Sequence, residues 1–294
     1  MRQIKRYRVE IVNIHNTGMV IPLIVFPIIR LMKIKAVATF HDYTNVYNRK
    51  LYPSELKNQR NLTFKTLVKA VTDGIILKTN RKFFDFASNI VYLSPNQKNI
   101  YTKFKFPGGA LIENKIETCS CKYSKSDDTA KPTIVFIGRQ IGKGLDVLVD
   151  WIRNQDLFQL TLIGNEDLDQ LAQARLPRDK FKFLGKLSSK EVFLEIHAST
   201  LLYAVSDCLD VYPTTVLEGI VHGKPVLISK NCGNYFLVSE IDPRFLIESI
   251  ADIAPSELLQ MSKTWDGNKK SFDIVRHVCD INHQIESYKI LFGE

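Results

Sequence analysis

Residues 206–229 read SDCLDVYPTTVLEGIVHGKPVLIS and contain the pattern that decides the fold. An apolar helical run over 214–222 is bounded by Pro213 at its start and Gly223 at its end, and a strand pattern over 224–230 follows it. Proline suits the first turn of a helix, and glycine suits its end. A helix that leads into a short strand with a continuous apolar centre is typical of a parallel sheet. The stretch therefore predicts one βα repeat of an α/β fold.

The same alternation of strand and helix patterns continues through the whole chain. The predicted strands are 9–15, 36–42, 74–80, 90–95, 109–114, 133–139, 158–164, 181–185, 200–207 and 224–230. The predicted helices are 17–32, 54–71, 144–155, 167–176, 188–198, 214–222 and one long helix over 273–292. Two α/β domains of the doubly wound, Rossmann-like type account for this order, with the ligand expected in the cleft that they face.

Length and composition exclude several classes of protein. The chain has 294 residues, of which 45% are apolar and 24% charged, as in globular rather than disordered or fibrous proteins. The longest apolar run, 19–29, is too short to span a membrane and contains two prolines. The basic N-terminus passes directly into a strand pattern, which argues against a signal peptide. With five cysteines and no export signal, we expect reduced thiols and a cytoplasmic location.

Charge is distributed unevenly along the chain. Residues 1–125 contain 22 Lys and Arg against 7 Asp and Glu, whereas residues 126–294 contain 18 against 24. The polar stretch 119–132 lies at this break and is typical of a linker. We therefore predict a basic domain over 1–125, a mildly acidic domain over 126–272, and a helix within 273–294 that packs back on the first domain. A basic surface suits an anionic partner, although lysines also serve solubility alone.

The turn FIGRQIGKG (136–144) combines glycines with two cations. Glycine lets the backbone approach a ligand closely, and Arg139 and Lys143 at the start of a helix suit a pyrophosphate. Neither a GxGxxG motif nor a P-loop is present. The residues alone leave two interpretations open, a diphosphate site and a structural turn with solvated cations.

The stretch 206–229 adds further polar groups to this picture. The backbone amides of Thr214 and Thr215 are placed at a helix start, where they suit a phosphate. Glu218 lies one turn further along and either accepts a hydrogen bond from a ligand hydroxyl or compensates the helix dipole. Asp210, on the loop before the helix, is placed to face the same pocket.

These motifs resemble glycosyltransferase family 4, retaining enzymes of the GT-B fold. Asp210 and Glu218, separated by seven residues and followed by HGKPVLIS, are similar to the E-x7-E signature of that family, except that Asp replaces its first Glu. FIGRQIGKG is similar to its Gly-Arg…Lys-Gly turn. FQLTLIGNEDLDQL (158–171) and FKFLGKLSSKEVFLEIHAS (181–199) resemble the elements that follow, so the resemblance covers about 130–250.

The resemblance implies roles for residues of the second half. Arg139 and Lys143 would bind the diphosphate of a UDP- or GDP-linked sugar, and Glu218 would bind the ribose hydroxyls. Asp210 and the backbone of 211–215 would hold the donor sugar and its phosphates. No metal or other cofactor is expected, since no cluster of His, Cys and carboxylate has metal-ligand spacing.

The first half resembles the family more weakly. VNIHN (12–16), VATFHDY (37–43) and VYLSPNQKNIY (91–101) are similar to strand ends of its first domain. By this resemblance His41 would approach the donor sugar, where a neutral imidazole can hydrogen-bond a hydroxyl. A purely structural histidine is the alternative for His41, and His15 is expected to be structural. Because the resemblance starts at the second or third strand of the family, the first domain is expected to be shortened.

The stretch MVIPLIVFPIIRLMKIK (19–35) has two interpretations. It forms a buried helix of the first domain, or it lies in a membrane interface with Arg30, Lys33 and Lys35 on anionic head groups. The second interpretation would place the protein on the inner face of the cytoplasmic membrane.

The sequence therefore predicts a retaining glycosyltransferase that acts on a glycan or a lipid-linked acceptor in surface polysaccharide or lipopolysaccharide biosynthesis. Two alternatives stay open, a non-catalytic or truncated remnant that binds nucleotide-sugar and a nucleotide-sugar epimerase. A nucleic-acid partner is not expected, because no RNP, KH or zinc-finger pattern occurs.

Overall fold

The computed structural model describes residues 9–15, 21–43, 46, 78–79, 81–116, 131–139, 142–265 and 271–293. The predicted helix 54–71, most of the predicted strand 74–80, and the linker 119–132 apart from its last two residues lie outside this set. Lys78 and Thr79 are helical, so the predicted strand is wrong at its end. A short apolar run suits a strand and the beginning of a helix equally well.

The first unit comprises residues 1–114 and 282–294 and is built on a parallel four-stranded sheet. Its strands, paired in chain order, are β1 (Ile11–His15), β2 (Lys35–Thr39), β3 (Asn89–Tyr92) and β4 (Ala110–Leu111). Two of its helices are α1 (Ile21–Leu31) and α2 (Pro95–Lys103), and residues 78–79 and 81–84 are helical as well. The hydroxyl of Ser94 caps α2 by accepting from the backbone N–H of Gln97.

Aromatic side chains form the core on one side of this sheet. The ring of Phe40 lies 4.7 Å from that of Tyr101 and 4.8 Å from that of Phe84, and all three residues are fully buried. From α1, Phe26 and Ile29 are buried in the same unit. The structure thus supports the interpretation of 19–35 as a core helix over its described residues.

The cations of that stretch have protein contacts as well. Lys35 donates a hydrogen bond of 2.7 Å to the carbonyl of Phe292, and the guanidinium of Arg30 lies 5.6 Å from the ring centre of Phe86. Leu31, at the end of α1, is 83% exposed. None of the helices among the described residues is long and apolar enough to cross a membrane.

The second unit comprises residues 115–281 and contains a parallel five-stranded sheet. Its strands are β5 (Thr133–Gly138), β6 (Gln159–Gly164), β7 (Phe181–Phe183), β8 (Leu201–Ala204) and β9 (Val226–Ile228). They lie in the order β7-β6-β5-β8-β9, so the chain starts at the centre, builds one side and then returns to build the other. This is the Rossmann strand order. Successive strands are added on one side of β5 up to β7 and on its other side from β8, so the switch point of the sheet lies between β5 and β8.

Helices join these strands and complete the second unit. They are α3 (Leu145–Arg153), α4 (Glu166–Arg175), α5 (Ser189–Ala198), α6 (Thr214–Val221), α7 (Tyr235–Ile241), α8 (Pro255–Lys263) and α9 (Ser271–Val278). A capping box begins α5: the Ser188 hydroxyl accepts from the Glu191 backbone N–H, and the Glu191 carboxylate accepts from the Ser188 backbone N–H at 2.8 Å. The two parallel sheets with covering helices confirm the predicted α/β class.

The predicted single helix over 273–292 is wrong. The chain forms α9 and then α10 (Ile281–Phe292), separated by a turn at Cys279 and Asp280. Apolar residues of α9 are buried in the second unit, whereas the side chains of α10 pack on the sheet of the first unit. Two successive helices keep nearly the same apolar spacing as one, so periodicity cannot detect the turn between them.

Two histidines of the second unit lie together, which the sequence analysis did not predict. The rings of His197 at the end of α5 and His222 at the end of α6 have centres 6.3 Å apart, and the ring of Phe193 lies 5.0 Å from that of His222. Burial, then the nearby His197 and Lys224, lower the pKa of His222 to about 4. The folded chain therefore holds this imidazole neutral at neutral pH.

Acidification from about pH 7.5 to about pH 5 is expected to lower the free energy of unfolding. In the unfolded chain His222 regains a pKa near about 6.5, so below that pH the unfolded state binds more protons than the folded state. Because His222 is partly exposed, screening limits the effect to about 1 kcal/mol. Urea denaturation at both pH values checks this. The His222→Gln variant should show a smaller decline than wild type, and equal declines would contradict the assignment.

Candidate functional site

The turn between β5 and α3 carries two of the predicted cations. Arg139 follows β5 and is exposed, while Lys143 directly precedes Gly144, the N-cap of α3. Gly144 has a φ of +66°, and a Cβ there would lie 2.5 Å from the carbonyl oxygen of Val205. Only glycine allows this turn to pack so closely on the segment after β8. The turn is therefore held at one position on the carboxyl edge of the sheet.

The segment after β8 is tied to this turn through Ser206. The Ser206 hydroxyl lies 2.8 Å from the carbonyl oxygens of both Gly142 and Cys208, which share its single hydrogen as acceptors. Its backbone carbonyl accepts from the side-chain amide of Asn231 at 2.7 Å and from the hydroxyl of Ser229 at 3.0 Å. Ser206, Ser229 and Asn231 were not among the site residues predicted from the sequence. The available signal was their position at the ends of two predicted strands, with Ser206 and Ser229 inside the strands 200–207 and 224–230 and Asn231 directly after the second.

Lys143 and Asp210, predicted separately, form an ion pair. The Asp210 backbone is fixed on both sides, because its N–H donates to Asn231 at 2.9 Å and its carbonyl accepts from Gly233 at 2.7 Å. The two side chains keep exposures of 32% and 19%, so solvent and ligands can reach them. The pair joins the segments after β5 and β8, where the strand order reverses. Ligands of Rossmann-like sheets bind at this point.

The start of α6, a few residues after Asp210 in the chain, offers backbone N–H groups. Pro213 is the N-cap, no side chain caps the helix, and its first turn contains no acidic residue. The fully buried Asn234 donates to the Pro213 carbonyl at 2.9 Å and so fixes where the helix begins. The first N–H groups of a helix, here those of Thr214 and Thr215, lack intrahelical acceptors and lie at the positive end of the dipole. This end suits an anion.

Glu218 supplies an acceptor one turn inside α6. Burial raises the pKa of its carboxyl group. Its Oε2 atom is buried and makes no hydrogen bond to any of the residues that the structure describes. A buried acceptor without a donor costs free energy, which a ligand hydroxyl would recover. Because Glu218 lies beyond the first turn, compensation of the helix dipole is the weaker of its two interpretations.

A groove of about 670 Å³ lies at the carboxyl ends of β6 and β7. Residues 164–167, Phe183, Gly185 and Lys186 line it. It is on the same sheet edge as the β5–α3 turn, because Gly164 pairs with Gly138 in the parallel register. None of the site residues predicted from the sequence lines this groove.

In the first unit, His41 contacts His15. Nδ1 of His15 lies 2.7 Å from Nε2 of His41, a hydrogen-bond distance. His15 ends β1 and pairs in register with Thr39, two residues before His41, which brings both rings to the same side of the sheet edge. Burial lowers the pKa of both imidazoles, and for His41 the neighbouring His15 lowers it further.

The backbone around His41 is clamped by two buried side chains of α2. The side-chain amide of Gln97 donates to the carbonyls of Phe40 at 3.0 Å and of Asp42 at 3.3 Å, and it accepts from the backbone N–H of Leu93 at 2.8 Å. The hydroxyl of Tyr101 also donates to Asp42, at 3.0 Å. The carbonyl groups of Phe40 and Asp42, on either side of His41, are thus held by Gln97 and Tyr101. These side chains cannot move away without leaving buried polar atoms unpaired.

No group of three or more His, Cys, Asp or Glu side chains within the described part of the chain is arranged to hold a metal ion.

A protein-family model matches most of the second unit. Residues 123–258 match the model of glycosyl transferases group 1. This range contains the β5–α3 turn, Asp210, the start of α6 and Glu218. No curated protein matches the sequence at a significant level.

Solved structures confirm the fold over nearly the whole chain. Anabaena HepE in complex with UDP and glucose has 16% identity and a TM-score of 0.68, covering 96% of this chain and 77% of its own. Sucrose-phosphate synthase from Thermosynechococcus elongatus has 15% identity and a TM-score of 0.73, with coverages of 99% and 76%. WaaG, a glycosyltransferase involved in lipopolysaccharide biosynthesis, has 12% identity and a TM-score of 0.61, with coverages of 92% and 81%. The predicted GT-B fold of two Rossmann-like units is correct.

Proposed function

We propose that the chain transfers a sugar from a nucleotide-sugar to a glycan or lipid-linked acceptor, because residues 123–258 match the model of the group 1 glycosyl transferases. The observation that carries this proposal is the Lys143–Asp210 pair. It lies between the ends of β5 and β8, where the strand order of the second sheet changes side, and Asp210 is three residues before the N-cap of α6. A cation, a carboxylate and free helix amides in this place suit the diphosphate and sugar of such a donor. The UDP and UDP-glucose bound by HepE support a donor of this class.

The second unit supplies groups for each part of the donor. Lys143, Arg139 and the amides at the start of α6 would neutralise the diphosphate and so make it a better leaving group. Glu218 would accept hydrogen bonds from the ribose hydroxyls, which satisfies its orphan Oε2. Once Lys143 engages the diphosphate, Asp210 would be released toward the donor sugar. The mechanism assigns no role to a metal, and retention of configuration is part of the proposal.

The first unit would contribute His41 and the acceptor side of the reaction. The acceptor proposed is a growing surface polysaccharide or lipopolysaccharide, in line with the role of WaaG. The basic character of residues 1–125 suits an acceptor presented at the cytoplasmic face of an anionic membrane.

Binding of nucleoside diphosphates tests the donor site directly. Thermal unfolding is measured with UDP, GDP and ADP for wild type, Glu218→Ala and, as a matched control, Glu240→Ala on the exposed face of α7. A ligand at about 100 times its dissociation constant adds about 2.7 kcal/mol of stability. One nucleotide should stabilise wild type and Glu240→Ala but not Glu218→Ala, and chelation of metal ions should leave this unchanged.

The outcomes separate the proposal from its alternatives. Binding without sugar transfer or sugar release would indicate a non-catalytic remnant, and conversion of the sugar without any acceptor would indicate an epimerase. If no nucleotide stabilises wild type, the donor site does not operate in this chain.

A further inference from the structure

The contact between His15 and His41 is an in-plane hydrogen bond rather than a stack of rings. The ring centres are 5.0 Å apart, while the two nitrogens are 2.7 Å apart. The difference matches the two ring radii, so both nitrogens lie close to the line that joins the ring centres. The planes differ by only 29°, which aligns an N–H of one ring with the lone pair of the other.

This bond restricts the protons of both rings. A neutral imidazole has one N–H and one bare nitrogen, and a hydrogen bond at one nitrogen decides which is which. Either His41 donates from Nε2 to His15, or His15 donates from Nδ1 to His41. The first arrangement keeps both rings in the Nε2–H form, the intrinsically preferred neutral tautomer, whereas the second puts both rings in the other form. The first is therefore favoured.

We propose that His15 is a positioning residue that holds His41 in its Nε2–H tautomer, so that Nδ1 of His41 is a bare acceptor for a sugar hydroxyl of the substrates. The use of that acceptor in transfer rests on the proposed function. The clamp by Gln97 and Tyr101 fixes the backbone of His41, and His15 fixes its ring. Backbone and ring are thus set by separate contacts, as a reacting group requires.

The atoms in contact define a matched pair of variants. In His15→Asn the side-chain amide lies where Nδ1 of the imidazole lay, and it can accept from Nε2 of His41. In His15→Gln the amide lies further out, near the former Nε2, and cannot make that contact in the same place. His15 is exposed at the end of β1, so both variants should fold like wild type, which their thermal unfolding checks.

Nitrogen-15 NMR of the full chain with labelled histidine reads the tautomer without any substrate. The spectrum contains the signals of six histidines. The signals of His41 are those that disappear in the His41→Gln variant. Wild type and His15→Asn should show a pyrrole-type Nε2 and a pyridine-type Nδ1 for His41. In wild type, a coupling across the hydrogen bond should connect Nε2 of His41 to Nδ1 of His15. His15→Gln should show averaged shifts.

The second measurement is the turnover of UDP-glucose, monitored through the UDP that is released. His15→Gln should lower kcat about tenfold or more with an unchanged KM, while His15→Asn should stay within about twofold of wild type. A protonated Nδ1 on His41 in wild type, or the same His41 spectrum in wild type and His15→Gln, would overturn the inference. Equal turnover of the Asn and Gln variants would also overturn it. If wild type turns over no donor, the proposed function fails, while the NMR spectra still decide the role of His15.

Discussion

Replacing Lys143 by methionine is expected to lower turnover about 100-fold or more, because it removes a cation from the place where the leaving diphosphate gains negative charge. Affinity for the nucleoside diphosphate should fall as well, by about tenfold or more, since hydrogen bonds to charged groups are among the strongest. Steady-state kinetics and calorimetric titration measure the two effects. Lys190→Met, on an exposed position of α5, is the control and should change neither.

The ion pair provides a second variant that separates two explanations. Asp210→Asn keeps the size of the side chain but releases Lys143 from its partner. If Lys143 binds the diphosphate, this variant should retain or raise nucleotide affinity while losing turnover. If the pair were only a structural brace, both variants would lose affinity together. Loss of the partly exposed pair itself should cost no more than about 1 kcal/mol of stability.

Gly144→Ala is expected to destabilise the protein by about 3 kcal/mol, against about 1 kcal/mol for Gly223→Ala. The two glycines have nearly equal φ values of +66° and +65°, so the conformational strain in alanine is the same. They differ in surroundings: a Cβ at Gly144 would lie 2.5 Å from a backbone carbonyl oxygen, whereas at Gly223 nothing lies within 4 Å. The turn that carries Lys143 must therefore move in the first variant only.

Urea denaturation measures the two free energies, and nucleotide titration shows whether the turn has moved. Gly144→Ala should lose nucleotide affinity as well as stability, whereas Gly223→Ala should keep its affinity. Equal losses of stability in the two variants would mean that the turn at Gly144 accommodates a methyl group without further loss of free energy. The close packing of this turn on the segment after β8 would then not position Lys143.

The sequence by itself determined the alternation of strands and helices in the second unit, and most predicted elements there match the structure within a few residues. It also determined which polar groups follow the strands, because turn glycines, helix starts and strand ends are encoded locally. Lys143, Asp210 and Glu218 were all found in this way. The motif spacing that relates them to a family is a property of the chain, and it needs no knowledge of contacts.

Contacts between residues far apart in the chain were decided only by the tertiary structure. Lys143 and Asp210 meet because β8 lies beside β5 instead of beside β7, and a run of similar βα repeats does not specify that order. His15 contacts His41 because the register of β1 and β2 pairs His15 with Thr39, so the carboxyl ends of the two strands lie side by side. The turn that separates α9 from α10 likewise depends on which unit buries each helix. Local periodicity encodes which side chains are buried, and only packing decides what each one touches.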